Sequence, residues 1–176
     1  MGDRRLARSP RPALSTPYAE PVADQVDFGV LLAVAHGTFF DRQHRHMVDE
    51  GHPGFTTRTG FVLRVLGEQA LSLRELADRL EMSSPAALKV VDAMVRDGYV
   101  ERTHAPEDRR VRTVRATERG RAALAAARAF HASVEQELVA AIGPADAAAV
   151  RRGLDALAGQ ATEVIPQVLR RSTAPG

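Results

Sequence analysis

The residues with chemistry to offer cluster in two places. The first is Ser83-Ser84-Pro85-Ala86, followed by Lys89, the only lysine in the chain. Serines ahead of an apolar run accept hydrogen bonds from the free N–H groups of a helix start, and Pro85 suits the first turn. The same free N–H groups and hydroxyls anchor phosphate oxygens. Lys89 has the reach for guanine O6/N7 or a phosphate, and Ala86 or Leu88 suits a thymine methyl. Few of these side chains make bidentate base contacts, which predicts modest direct readout and a larger share from DNA shape. The second cluster runs from Arg96 to Arg121, where eight arginines face five acids, a local net of +3 against +2 for the whole chain. Arg109 and Arg110, with Arg112 beyond them, sit at a polar turn and suit a narrow, electronegative minor groove. Asp108 is expected to order that turn by pairing with an arginine or accepting turn N–H bonds.

Other chemistries find little support. The chain has no Cys, which removes disulfides, thiolate metal sites and a thiol nucleophile. His44 and His46 point in different directions on a helix, and His36 and His44 align only roughly, which is poor metal spacing. There is no glycine-rich phosphate loop, nucleophile elbow or HExxH motif. We expect no catalysis, no cofactor and no metal.

Elements must position these clusters. A helical pattern runs from about Asp24 to Met47, with Val26, Val30 and Val34 on one stripe and Leu31 and Phe39 beside it; Gly51, Pro53 and Gly54 stop it. Thr57 or Thr59 is expected to cap a second helix carrying Phe61, Val62, Val65 and Leu66. Ser72 and Glu75 form a capping box ahead of Leu73, Leu76, Ala77 and Leu80. Ser83 or Ser84 caps the next helix, whose buried stripe is Ala87, Val91, Met94 and Val95. Gly98 fits its left-handed end. Two short helices so joined read as a helix-turn-helix. Tyr99 and Val100 then open a strand, 105–110 is a turn, and Val111, Thr113 and Arg115 return, with Arg112 and Val114 on the other face. A helix-turn-helix with a hairpin behind it is a winged helix. A long Ala-rich helix follows, from Glu118 or Gly120 to Ile142. After Gly143-Pro144 a last helix runs over 145–170, kinked or ended by Pro166.

Composition bounds the class. The chain has 176 residues, 44% of them apolar, enough for one real core. Arg replaces Lys almost everywhere and Ala occurs 30 times, so arginine abundance alone says little and placement says more. The longest uncharged apolar run, Phe28 to Phe40, is too short to span a bilayer. Arg4, Arg5 and Arg8 have no apolar stretch behind them, unlike a secretory signal. A cytoplasmic protein away from membranes is the expectation. The broad apolar faces of the terminal helices predict a homodimer that buries them.

LSLRELADRL, the capped helix SSPAALKVVDAMVRDGYVERT, and PEDRRVRTVRATERG together resemble the MarR family of multiple-antibiotic-resistance regulators. Asp108-Arg109-Arg110 is similar to that family's Asp-x-Arg wing signature, followed by Ala116-Thr117 and Gly120 where the family usually has Leu-Thr and Gly. The resemblance covers about residues 24–170. It implies a mainly α fold: a winged helix-turn-helix with a two-stranded wing and long N- and C-terminal dimerisation helices. It further implies a homodimeric transcription regulator, usually a repressor, that binds a pseudo-palindromic double-stranded operator and is released by a small phenolic or lipophilic effector. The DNA-contacting set is then Ser72, Ser83, Ser84, Pro85, Ala86, Lys89, Arg109, Arg110 and Arg112, with Arg110 in the minor groove. The family's effector pocket lies between the dimer helices and the winged lobe, which nominates His36, Phe39, Phe40, His44, Phe61 and Arg64. The expected division is a Pro-rich basic arm over 1–23, a dimerisation helix and connection over 24–57, a DNA-binding lobe over 58–120, and dimerisation helices over 121–176. The chain departs from the pattern by carrying Ala86, Ala87 and Leu88 where polar residues commonly precede the basic one. A different class of function, a winged-helix protein–protein module, would use that apolar surface instead.

Overall fold

The computed structural model describes residues 26–104 and 111–159. The described chain divides between Gly37 and Thr38 into two compact units. Helix α1 (Phe28–Asp49) runs through the division. In the first unit, Val26, Phe28, Val30, Leu31, Leu32 and Val34 are all exposed, so this stretch has no core of its own.

The second unit begins with the rest of α1, whose buried residues are Gln43 and Met47. The described helix starts at Phe28 rather than Asp24 and runs on to Asp49, after which Gly51 adopts φ 80°. Helix α2 (Thr57–Leu66) follows. Its cap is Thr56, not Thr57 or Thr59. The Thr56 hydroxyl accepts from the Thr59 N–H at 3.1 Å, and the Thr56 N–H donates to Thr59 Oγ1 at 3.3 Å. Three threonines within four positions offer several caps, and the one chosen lets Thr59 close a capping box.

Strand β1 (Leu71–Ser72) leads into α3 (Leu73–Arg79), and α4 spans Ser84–Arg96. Ser72 caps α3 in the expected box with Glu75. Ser83 caps α4, Pro85 lies in its first turn, and Gly98 carries the left-handed φ of 75°. The wing is β2 (Val100–His104) and β3 (Arg112–Ala116). Beside the expected two-stranded wing, β1 joins as a third strand of the sheet, in the order β1-β3-β2, with Leu71 opposite Val114 and Arg102 opposite Val114 on the other side. Val114 and Ala116 face the core, while Val111 is exposed.

The core is one cluster in which Met47, Leu63, Leu66, Leu76, Leu80, Val91, Met94 and Tyr99 are almost wholly buried. Helix α5 (Glu118–Ile142) adds Ala123, Leu124, Ala127 and Phe130 on its buried side. Its cap, Thr117, accepts from the Gly120 N–H and donates to the Gly98 carbonyl at 2.6 Å. Arg119 donates to the carbonyls of Asp97 at 3.1 Å and Gly51 at 2.9 Å, tying the α1–α2 connection to the end of α4. Helix α6 (Pro144–Ala158) stops earlier than the apolar pattern suggests, at Gly159 with φ 76°. The region of Pro166 lies outside the described residues.

Candidate nucleic-acid interface and aromatic cavity

Helix α4 presents one side to the core and another to solvent. Ala87, Val90, Val91 and Met94 are buried. Ser83, Ser84, Pro85, Leu88 and Lys89 are exposed, and Ala86 is half-buried. Leu88 is a large apolar residue with 42% of its surface exposed. The Ser83 hydroxyl accepts from the Ala86 N–H at 3.4 Å. Ser72 is more committed: its hydroxyl donates to Glu75 Oε2 at 2.7 Å and accepts from the Glu75 N–H at 3.2 Å. These bonds favour the ionised carboxyl and hold the Glu75 pKa below its usual value.

The wing lies beside this helix. A groove of about 350 Å³ is lined by Leu73, Leu88 and Asp92 on the helical side and by Arg102, Arg112 and Thr113 on the sheet. Arg102 of β2 is ion-paired with Asp92 of α4. Arg115 pairs across the strands with Glu101 at 2.6 Å. Arg112 is exposed at the described end of the wing. Asp108, Arg109 and Arg110 lie outside the described residues. The Asp92–Arg102 pair was not anticipated from sequence, because residues ten apart on different elements carry no periodic signal.

Lys89 points to the other side of α4. It lines a hollow of about 480 Å³ with Thr56, Thr57, Arg58 and Asp97. The lysine therefore stands between the start of α2 and the middle of α4.

A second cavity, of about 270 Å³, is mostly aromatic: Phe39, Phe40, Phe55 and Phe61 line it, with Gln43, Thr57, Arg64 and His131 as its polar groups. Phe39 stands edge-on to Phe40, with ring centroids 5.3 Å apart. Gln43 Nε2 lies 2.8 Å from His131 Nε2. Burial, and then the positive charge of Arg64, lower the His131 pKa. Burial and Arg128 likewise lower that of Arg64. Of the six residues nominated for an effector, Phe39, Phe40, Phe61 and Arg64 line this cavity. His44 is exposed and does not line it; His36 is exposed and belongs to the other unit. Gln43 and His131 were missed as site residues, although Gln43 sits one helical turn after Phe39 and His131 one turn after the buried Ala127.

Helix-turn-helix, capped recognition helix and adjacent wing are thus in place. Residues 54–111 match the sequence profile of the MarR family. That segment is similar in sequence to the MarR family, and the chain shares its winged-helix fold. Among solved structures similar to this chain is YusO from Bacillus subtilis, 21% identical over 74% of this chain and 91% of that one, with a TM-score of 0.59. The transcriptional repressor CouR, bound to a 23-mer DNA duplex, is 26% identical over 76% of this chain and 93% of that one, with a TM-score of 0.57. CouR from Rhodococcus jostii RHA1 bound to p-coumaroyl-CoA is 26% identical over 79% and 95%, with a TM-score of 0.53. No curated protein sequence matches the chain. Among the described residues, no helix is long and apolar enough to cross a membrane.

Proposed function

We propose that this chain is a MarR-family regulator that acts in the cytoplasm as a homodimeric, sequence-specific DNA-binding repressor. In this reading it leaves its pseudo-palindromic operator when a small phenolic or lipophilic ligand fills the aromatic cavity. The observation that carries the reading is the pairing of an exposed, serine-capped α4 with an arginine-bearing wing held beside it by Asp92 and Arg102. That arrangement suits a helix in the major groove and a cationic finger in the neighbouring minor groove. The likeness to CouR in its DNA complex supports it. Ser83, Ser84, Pro85, Ala86 and Lys89 are assigned to the major groove and its phosphates, Arg109, Arg110 and Arg112 to the wing contact, and Asp108 to ordering the tip. Ser72, whose hydroxyl and backbone N–H are both engaged by Glu75, completes the assigned set at the start of α3.

Selection of bound genomic fragments, followed by footprinting, tests the reading. Protection with dyad symmetry and half-sites about 10 bp apart is expected for a two-fold dimer. R110A should weaken operator binding and lower the log–log salt slope by ~0.9 per lost phosphate contact, with the dimer intact. A chain that binds no duplex at low salt, yet captures a protein through the exposed Leu88 surface, would instead be a protein–protein module.

A further inference from the structure

We propose that an anion entering the aromatic cavity binds together with a proton, and that His131 takes that proton up from solvent. The inference rests on reading the cavity as the effector site and adds how that site responds to pH. Arg64 is the charge that drives it. None of the ion pairs among the described residues involves Arg64. Its nearest electrostatic influence is another cation, Arg128 of α5.

The other charged groups around His131 are occupied elsewhere. From α1, Phe39 meets the imidazole with ring centroids 5.5 Å apart. Arg42 of α1 is bonded through one guanidinium nitrogen to both carboxylate oxygens of Glu137, each at 2.7 Å. His46 of α1 lies against the Ala126 carbonyl at 3.2 Å. On α5 itself, Glu135, one turn beyond His131, pairs with Arg151 of α6 at 2.9 Å. From α2 comes Arg64. The cavity therefore sets an uncompensated guanidinium against the imidazole, and burial and then Arg64 hold the His131 pKa below its usual value. An anion on Arg64 cancels that repulsion and adds attraction, so the imidazolium becomes the favoured form.

Gln43 lets this happen without losing a hydrogen bond. With neutral His131, the amide N–H of Gln43 donates to the ring nitrogen 2.8 Å away. With charged His131, that nitrogen becomes a donor, and the amide need only turn over so that Oε1 accepts. A carboxylate at this position would lock the charged form, and an apolar residue would penalise both.

By linkage, a permanent anion should bind more tightly as pH falls, by as much as the His131 pKa rises on binding; each unit is tenfold. Because the groups are partly solvated, about three- to tenfold between pH 8 and pH 5.5 is expected. The probes are naphthalene-2-sulfonate, charged throughout that range, and the uncharged naphthalene-2-sulfonamide. Calorimetry on the full-length dimer, in two buffers of different ionisation enthalpy, reads proton uptake directly. Uptake of a fraction of a proton with the sulfonate and none with the sulfonamide is expected. H131Q should lose the pH dependence, whatever its affinity, and wild-type calorimetry decides the matter if H131Q does not fold. Sulfonate binding without proton uptake, or uptake that H131Q retains in full, would overturn the proposal alone. If neither probe binds, the effector-site reading falls and the proposal with it.

Discussion

Two neighbouring serines illustrate how one residue type serves two purposes. Ser83 spends its hydroxyl on the Ala86 N–H, satisfying a helix-start donor. Ser84, the first residue of α4, is exposed, and nothing in the helix requires its hydroxyl. S83A should therefore lower stability by ~1 kcal/mol, read from the urea midpoint. S84A should leave that midpoint within ~0.5 kcal/mol and weaken duplex binding instead. Equal stability losses for the two would mean the cap is misassigned. A third residue, His52, reports on pH. It is buried, its ring is 5.8 Å from that of Tyr99, and its Nδ1 has no hydrogen-bond partner among the described residues. Burial and then Arg119 lower its pKa, with Glu50 opposing. The unfolded chain then binds the proton more readily, so stability is full above about pH 6.5 and falls as pH drops below it. Urea midpoints at several pH values check this, and H52Q should flatten part of the acid limb. An acid limb unchanged in H52Q would remove His52 from the account.

At the scale of elements, α5 starts hard against the segment between α4 and β2. The Gly120 backbone lies against the Tyr99 carbonyl so tightly that an added Cβ would collide with it, and Leu63 closes the other side. The atom it would strike first is backbone, which no side-chain rotation can move aside. G120A should cost about 3 kcal/mol, visible as a lower thermal midpoint with secondary structure otherwise retained. A midpoint within a degree of wild type would mean that the contact relaxes. Gly120 was marked in the sequence only as part of a family pattern; the structure supplies the reason for it. Capped helices were legible because Ser72, Glu75, Ser83, Pro85 and Gly98 are local signals that act within a few residues. Strand β1 was not, because two residues pressed against a helix cap leave no alternation to read. The Asp92–Arg102 latch and the Gln43–His131 contact were hidden for a related reason. Each joins elements whose spacing in space owes nothing to spacing in sequence. His44 was nominated by its neighbours in the chain, and helix geometry turned it toward solvent.

At the scale of the molecule, the question is what covers the apolar surface left on each unit. In the first, six large apolar residues between Val26 and Val34 are exposed. In the second, Val150, Leu154 and Leu157 of α6 are exposed, Leu157 to 62%. Fully burying one such side chain contributes roughly 1.5–3 kcal/mol, so a handful on each copy is enough to offset the entropy of association. Charge alone does not drive this, since the chain carries a net +2. A homodimer that buries these faces also sets the spacing between two α4 helices, which links assembly to operator recognition. L154E places a carboxylate on the exposed apolar face of α6 without touching the core or α4. It should shift the sedimentation profile from dimer to monomer at micromolar concentration and abolish operator binding, while retaining weak, salt-sensitive binding to random duplex. A dimer that survives L154E would move the interface off this face of α6. A monomer that still bound its operator as tightly as wild type would break the link between assembly and recognition.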